Sequence, residues 1–216
     1  MNESDRERNA TMNLKMNFRI KKAAIKVLRK ELGWKQLLGL VRELAKNKKR
    51  GEPWKDLPAP VDRKEEESRE LIGDAILLYR ALLKKRPQPE AERIIREVIV
   101  ESAVMQLYSL VPRFSKERIN ELPAEERKEK FCSLINQFPN ADWEINKISE
   151  QEYSYFITRC RLVELIIAVG HPELQDAFCE GDGVYFERYQ TDINFSRPTK
   201  IGSGDDVCDF VFRIDD

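Results

Sequence analysis

The residues best suited to chemistry are concentrated in the last third of the sequence. Three of the four cysteines and the only histidine lie between residues 153 and 213; they are Cys160, His171, Cys179 and Cys208. A cysteine thiolate can act as a nucleophile or as a metal ligand, and neighbouring carboxylates can transfer protons. If the protein has a chemical site, we expect it in this stretch.

Cys160 stands where the sequence predicts a strand to end and a helix to begin. The partial positive charge at a helix N-terminus stabilises a thiolate, and the neighbouring Arg159 and Arg161 would add to that effect. The competing interpretation is a small apolar residue packed under the sheet, which is how free cysteines usually behave. The local sequence leaves both interpretations open.

A second group of candidates lies on a predicted helix further along the chain. Cys179 and Asp182 are three residues apart, so they share one face of that helix. Gly181 and Gly183 weaken a helix, which indicates the close approach of another backbone or of a ligand. A local bend with ordinary packing explains the two glycines equally well.

The segment Gly202-Ser203-Gly204-Asp205-Asp206 could present backbone N–H groups to an anion. It lacks the Lys-Ser/Thr pair and the following helix of a phosphate-binding loop. A plain hairpin connection between two strands is the competing interpretation. Cys208 follows at the start of the last predicted strand, with Asp209 on the opposite face.

The spacing of the cysteines gives little support for a metal site. Cys160 and Cys179 are separated by 18 residues, Cys179 and Cys208 by 28, and no CxxC pair is present. Zinc or an iron–sulfur cluster is chemically permitted, but we expect no metal and no other cofactor. His171, within Gly-His-Pro, is expected at a helix junction. The sequence contains no Ser-His-Asp order, HExxH motif or nucleotide-binding fingerprint.

Upstream of this stretch, apolar residues recur at the spacing of amphipathic helices. Residues 1–12 are predicted as a flexible tail and residues 13–138 as a helical region interrupted by glycine and proline. After Asn140 the apolar period changes to two, which indicates strands. Residues 139–216 then fit two strands, two helices and two further strands. We therefore expect an α+β fold, in which the helical region shares one core with an antiparallel ββ-αα-ββ sheet covered by helices.

The composition of the chain gives no indication of a nucleic-acid or membrane partner. The chain has 38 basic and 38 acidic residues, so no global charge attracts it to nucleic acid or anionic lipid. No apolar run reaches the ~18–20 residues that cross a bilayer, and the first residues are not those of a signal peptide. Four cysteines without close pairs do not indicate a disulfide framework. We expect a cytoplasmic protein with reduced thiols and a small-molecule substrate, without nucleic-acid or membrane partners; a homo-oligomer stays open.

The C-terminal residues also resemble those of a known family. The residues that carry the resemblance are Cys160, Glu164, Pro172-Glu173-Leu174, Cys179, Asp182, Thr199, Gly202 and Cys208-Asp209-Phe210-Val211-Phe212. Over roughly residues 140–214 they resemble the signature of the L-2-amino-thiazoline-4-carboxylic acid hydrolase family. The resemblance implies hydrolytic opening of the cyclic, amidine-like C=N bond of 2-amino-thiazoline-4-carboxylate, giving a carbamoyl-cysteine.

That reaction suggests roles for individual residues. Cys160 is the first candidate for the nucleophile, and Cys179 or Cys208 is the second. Asp182 and Glu164 are candidates for proton transfer.

Four further residues are candidates for substrate binding. Arg161 or Arg197 could hold the substrate carboxylate, because a guanidinium group matches it with two hydrogen bonds. Gly202 and Gly204 could contribute backbone donors.

The alternative to an enzyme is a non-catalytic sensor that binds a small molecule or a metal, or an interaction scaffold whose cysteines belong only to the core. A catalytic pocket requires a nucleophile, a proton carrier and donors within reach of one reacting atom. We therefore expect at least two of the three cysteines to line a common cavity with Asp182 or Glu164.

Overall fold

The computed structural model describes the backbone of residues 3–114, 121–149 and 151–214, and the side chains of these ranges from Leu14 onward. Its N-terminal part is helical. The helices are α1 (Glu3–Lys48), α2 (Arg63–Leu83), α3 (Gln88–Leu110) and α4 (Ala124–Ile135). The first strand begins at Ala141, so the predicted change from helices to strands after Asn140 is confirmed.

The boundaries of these helices follow the local sequence. Residues 3–32 contain neither glycine nor proline, and α1 includes most of the segment for which the sequence predicts a flexible tail. Gly33 has a φ of 69°, which interrupts α1 where the sequence predicts a helix end. Asp62 caps α2 by accepting a hydrogen bond from the Glu65 N–H at 2.7 Å. None of the described helices combines the length and the apolar composition needed to cross a bilayer.

The C-terminal part forms one antiparallel sheet of four strands in the order β1-β2-β4-β3. The strands are β1 (Ala141–Ile148), β2 (Glu152–Cys160), β3 (Asn194–Ser196) and β4 (Cys208–Arg213). Between β2 and β3 the chain forms α5 (Arg161–Ala168), a 3-10 turn (Pro172–Leu174) and α6 (Ala177–Tyr189). The predicted ββ-αα-ββ order and the α+β class are confirmed.

Two details of the prediction are corrected. Pro172 opens a short 3-10 turn rather than the long helix expected there, and α6 starts afresh at Ala177. The break coincides with close packing against a neighbouring loop, because a Cβ on Gly202 would lie 2.7 Å from the Gln175 carbonyl oxygen. β3 is also shorter than the predicted strand over residues 192–197.

The core continues from the helical region into the sheet region. α3 packs against α1, α2 and α6, so it lies at the centre of the helical region. Leu162, Leu165 and Ile166 of α5 are buried in the same apolar cluster as the facing residues of α1, α2 and α3. α5 directly follows β2, so this packing fixes one end of the sheet against the helices.

Gly181 explains how α6 can lie so close to α3. A Cβ built on Gly181 would be 2.6 Å from the Cβ of Ala103 on α3, a contact that folded proteins do not tolerate. Gly183, two residues further on the same helix, has no atom within 4 Å of that position. The close approach of another backbone, expected from these two glycines, therefore occurs at Gly181 alone.

We predict that Gly181→Ala destabilises the protein by about 1–3 kcal/mol, because overpacking forces α3 and α6 apart. Gly183→Ala is the matched control, since alanine favours a helix by about 1 kcal/mol over glycine and meets no neighbour there. Urea denaturation midpoints of the two variants and the wild type provide the test. A Gly181→Ala protein as stable as the Gly183→Ala protein would contradict this account of the α3–α6 contact.

Candidate functional site

A cavity of about 570 Å³ lies between the inner face of the sheet, the C-terminal half of α3, α4 and α6. Its wall contains Cys160, Cys179, Cys208, Asp182 and Arg197. The expectation that at least two of the three cysteines share a cavity with Asp182 or Glu164 is therefore confirmed through Asp182. Residues far apart in the chain thus bring three thiols and an ion pair together in one cavity, whose remaining wall is mostly apolar but also includes Arg113, Arg127 and Lys130.

The elements that carry these side chains determine their positions. Cys160 is the last residue of β2 and the residue directly before α5, as the sequence predicts. Cys208 opens β4, paired with Ile157 of β2. Cys179 and Asp182 lie one turn apart on α6, which places both above the sheet. Arg197 follows β3 directly.

Asp182 and Arg197 form a partly buried ion pair in the cavity wall, with 24 % of the Asp182 side chain exposed. The Arg197 guanidinium contacts the Asp182 carboxylate at 2.5 Å and also donates to the carbonyl oxygen of Cys179. It lies over the ring of Phe210, with 5.0 Å between the guanidinium carbon and the ring centre. Burial raises the pKa of the Asp182 carboxyl, and the charge of Arg197 opposes that rise. The pair thus holds a carboxyl group suited to accept and return a proton.

Arg197 keeps one donor unused. Only 7 % of its side chain is exposed, and its Nε–H has no acceptor among the residues that the structure describes. Burial lowers the pKa of Arg197, but the charges of Asp182 and Cys179 outweigh it and the pKa is raised. The guanidinium therefore stays positively charged beside the thiols.

The Cys208 thiol has a backbone donor aimed at its sulfur. The N–H of Ile201 donates to Cys208 Sγ at 3.2 Å. Burial raises the pKa of this thiol, while the Ile201 N–H and the charge of Arg197 lower it. The close packing of Gly202 on Gln175 positions the loop that supplies the donor.

The predicted backbone donors Gly202 and Gly204 do not line the cavity. Gly202 is needed for close packing, and Gly204 has a φ of 97°, which ends the short 3-10 turn Ile201–Ser203. The loop does direct a backbone N–H into the site, but the donor belongs to Ile201. The sequence could not identify that residue, because any residue type carries the same N–H group.

Cys160 is less activated than its position suggests. Burial raises the pKa of its thiol, and the amides of Val163 and Leu162 at the start of α5 lower it only in part, because neither forms a full cap hydrogen bond to the sulfur. Arg159 does not assist the thiolate as predicted, because its guanidinium binds Glu164 at 2.7 and 2.8 Å.

Two predicted site residues lie away from the cavity. Arg161, 3 % exposed, donates to both carboxylate oxygens of Asp142 at 3.0 and 3.1 Å and approaches Asp62 at 3.5 Å. Hydrogen bonds from Arg161 and Lys64 lower the pKa of Asp142 to about 2. Arg161 therefore ties β1 to the start of α2 and is not placed to hold a substrate carboxylate. Glu164 has 48 % of its side chain exposed and pairs with Arg159.

His171 occupies the helix junction expected from the sequence. Arg80 donates to its Nε2 at 3.1 Å, so the ring proton lies on Nδ1, which is 3.3 Å from a Glu173 carboxylate oxygen. His171 does not line the cavity. Within the described ranges, no three His, Cys, Asp or Glu side chains are grouped in a way that could hold a metal ion. All four cysteines are free thiols.

The aromatic wall of the cavity was not recognised from the sequence as part of a site. Its rings come from four elements, β2, β4, α4 and α6, and include Tyr153, Tyr155, Phe131, Phe186, Phe210 and Phe212. The signal was present, because alternation on β2 and β4 places four of these rings on the same sheet face as Cys208. What the sequence could not show is that this face remains partly uncovered by side chains.

Comparison with known proteins identifies one family. The sequence model of L-2-amino-thiazoline-4-carboxylic acid hydrolase matches residues 65–212, about two thirds of the chain. The match extends well upstream of residue 140, where the resemblance noted in the sequence begins, and includes α2, α3 and α4. No curated protein and no solved structure matches the chain.

We predict that the stability gained from the Cys179 thiol is lost at high pH. Burial raises the pKa of Cys179 to about 12, while in an unfolded chain it is about 8.5. The folded state thus binds the proton more tightly, so the contribution is complete below about pH 8.5 and falls as pH rises toward 12. The difference in unfolding free energy between wild type and Cys179→Ala, measured by urea denaturation from pH 7 to 10, should shift against the wild type by up to about 1.4 kcal/mol per pH unit above 8.5. A difference independent of pH would contradict the burial of this thiol.

Proposed function

The chain belongs to the L-2-amino-thiazoline-4-carboxylic acid hydrolase family, and we propose that it opens a cyclic C=N substrate of that type by adding water, with a carbamoyl-cysteine as the product. The observation that carries the proposal is the meeting of three thiols with the Asp182–Arg197 pair at one end of a cavity. Together they supply a nucleophile, a proton carrier and a fixed positive charge, which such a hydrolysis requires.

Cys208 is the thiol best placed to act as the nucleophile. Its sulfur already accepts the Ile201 N–H, and this donor would stabilise the negative charge that sulfur carries as the thiol proton leaves. Arg197 adds its charge from the same side of the cavity. The amides of Val163 and Leu162 also lower the pKa of Cys160, but neither forms a cap hydrogen bond to its sulfur and the charge of Arg197 does not act on it, which makes it the second choice.

The substrate itself can accept the thiol proton. In the proposed first step Cys208 Sγ bonds to the ring carbon between sulfur and nitrogen, the π electrons of C=N move to nitrogen, and Asp182 relays the thiol proton to that nitrogen. The bond from this carbon to the leaving ring heteroatom then breaks with its electrons on that atom, a nitrogen lone pair restores the C=N bond, and the N–H proton released in this way passes to the heteroatom. Water attacks the same carbon, the C–Sγ bond breaks, and the thiol recovers its proton. The steps sum to the addition of one water.

Arg197 is the candidate for the substrate carboxylate. It lines the cavity beside the thiols, and its Nε–H has no acceptor within the described part of the chain. A carboxylate bound there would replace a missing hydrogen bond without disturbing the contact to Asp182. Arg161, the other predicted candidate, is occupied by Asp142.

One observation favours a second function, the binding of a small molecule without chemistry. Burial raises the pKa of all three cavity thiols, which is typical of structural rather than reactive cysteines. A ligand-binding protein would then bind the thiazoline and release it unchanged.

Turnover of 2-amino-thiazoline-4-carboxylate distinguishes the two functions. We predict a product heavier by one water, detected by mass spectrometry, and a fall in rate of at least about 10³-fold for Cys208→Ala. Asp182→Asn should lower the rate by about 10²–10⁴-fold, since it removes the proton carrier. Cys132→Ala is the matched control, because Cys132 is a thiol of α4 outside the cavity wall.

Two results would contradict the proposal. A Cys208→Ala protein with wild-type turnover would exclude Cys208 as the nucleophile and return Cys160 or a bound water to that role. Binding of the thiazoline without any product would leave the ligand-binding function. Circular dichroism of each variant establishes that a loss of rate is not a loss of fold.

A further inference from the structure

The cavity is much larger than the substrate after which the family is named. A cavity of about 150 Å³ already holds benzene, and an unsubstituted five-membered ring with one carboxylate is only modestly larger than benzene. The cavity here measures about 570 Å³, within the range of about 300–1,000 Å³ that encloses drug-sized ligands. The small ring would leave most of this space unfilled.

The unfilled space is apolar and has a defined direction. On the inner face of β4 the residues Cys208, Phe210 and Phe212 follow one another, each opposite an apolar or aromatic residue of β2. At about 3.3 Å per residue, Cys208 and Phe212 are about 13 Å apart. The thiols and the Asp182–Arg197 pair therefore lie at one end of this row, and the rings of Phe212 and Phe131 lie at the other. Arg127 and Lys130 of α4 also line the cavity near Phe131.

The aromatic end is assembled from separate elements around an open space. Phe131 of α4 lies 5.3 Å from the ring of Tyr153 and 6.3 Å from that of Phe212, between ring centres. Phe186 of α6 lies 5.1 Å from the Phe212 ring. Rings in these tilted and edge-on arrangements bind apolar groups well but offer nothing to a carboxylate or an amine.

We propose that the substrate of this chain is a cyclic amidine carboxylate that carries an extended alkyl or aryl substituent, rather than the unsubstituted ring. The reacting ring carbon lies at Cys208, and the substituent extends along β4 over Phe210 and Phe212 to Phe131. The inference rests on the proposed function for the reacting end of the substrate. The length and the apolar character of the substituent rest on the cavity alone.

Specificity then follows from the burial of the substituent. Each methylene group transferred from water to an apolar wall strengthens binding by about 0.8 kcal/mol, which is about fourfold. A substrate with a short polar substituent gains nothing from the rings. The cavity therefore favours substrates with a long, apolar substituent, and this selection takes place at a distance from the bond that breaks.

The test compares 2-amino-thiazoline-4-carboxylate with two derivatives that carry a hexyl group, one on the exocyclic nitrogen and one on ring carbon 5. We expect at least one hexyl compound to have a kcat/KM about a hundredfold or more above that of the unsubstituted ring. Dissociation constants by calorimetry, measured on the same protein, should fall in parallel. A hydroxyhexyl derivative is the matched control for chain length without apolarity at its end.

A substitution of Phe131 tests whether the aromatic rings bind the substituent. Phe131→Ala removes a ring that lies next to Phe212, about 13 Å along β4 from Cys208, and should reduce the ratio of hexyl to unsubstituted kcat/KM by about tenfold. Phe131→Leu, which retains an apolar side chain, should restore most of that ratio and guards against a simple loss of fold.

The outcomes separate this inference from the proposed function. If the unsubstituted ring reacts faster than both hexyl compounds, the inference is overturned and the hydrolase function stands. If a hexyl compound binds more tightly but no compound is hydrolysed, the cavity preference stands and the hydrolase function falls. If no hexyl compound binds more tightly or reacts faster than the unsubstituted ring, the inference is overturned.

Discussion

The ion pair between Asp182 and Arg197 is the interaction on which the polar end of the cavity depends. The ion pair joins α6 to Arg197, the residue that directly follows β3. Arg197 also donates to the carbonyl oxygen of Cys179, so it fixes the turn of α6 that carries this thiol. A buried charge without its partner typically costs about 3–5 kcal/mol, so neither member can move far from the other. The consequence is that Cys179 and Asp182 keep a fixed distance from the sheet that carries Cys208.

α6 also lies close to α3, and Gly181 makes this contact possible. The contact with Ala103 brings the first turns of α6 down onto α3, while the later turns contribute Phe186 to the aromatic end of the cavity. One helix therefore supplies both ends of the site. On α6, Cys179 and Phe186 are about two turns apart, which is about 10 Å. This is similar to the distance of about 13 Å between Cys208 and Phe212 along β4.

Sequence patterns predicted the structure correctly wherever neighbouring residues in the chain determine it. The change of apolar period after Asn140 identified the sheet, the alternation on β4 placed Cys208 on the inner face, and spacing of three paired Cys179 with Asp182. The errors arose where a distant residue decides the outcome. Arg161, the first residue of α5, is bound by Asp142 of β1, and Gly202 is fixed by the backbone at Gln175. A local sequence pattern cannot identify partners that are so far apart in the chain. It also cannot predict the volume of the cavity between α4, α6 and the sheet.

A thiol in an apolar cavity presents an apparent conflict, because burial disfavours the thiolate that attacks. The conflict is resolved if the thiol does not ionise before the substrate binds. A substrate that binds with its amidine nitrogen unprotonated, the form favoured beside the charge of Arg197, supplies the acceptor for the proton that Cys208 loses, and Asp182 needs only to carry it across. The same low polarity that raises the thiol pKa then strengthens the interactions of Ile201 N–H and Arg197 with the charge that develops. In such a cavity the thiol stays protonated and unreactive toward electrophiles from solvent. It becomes a nucleophile only when a bound substrate accepts its proton.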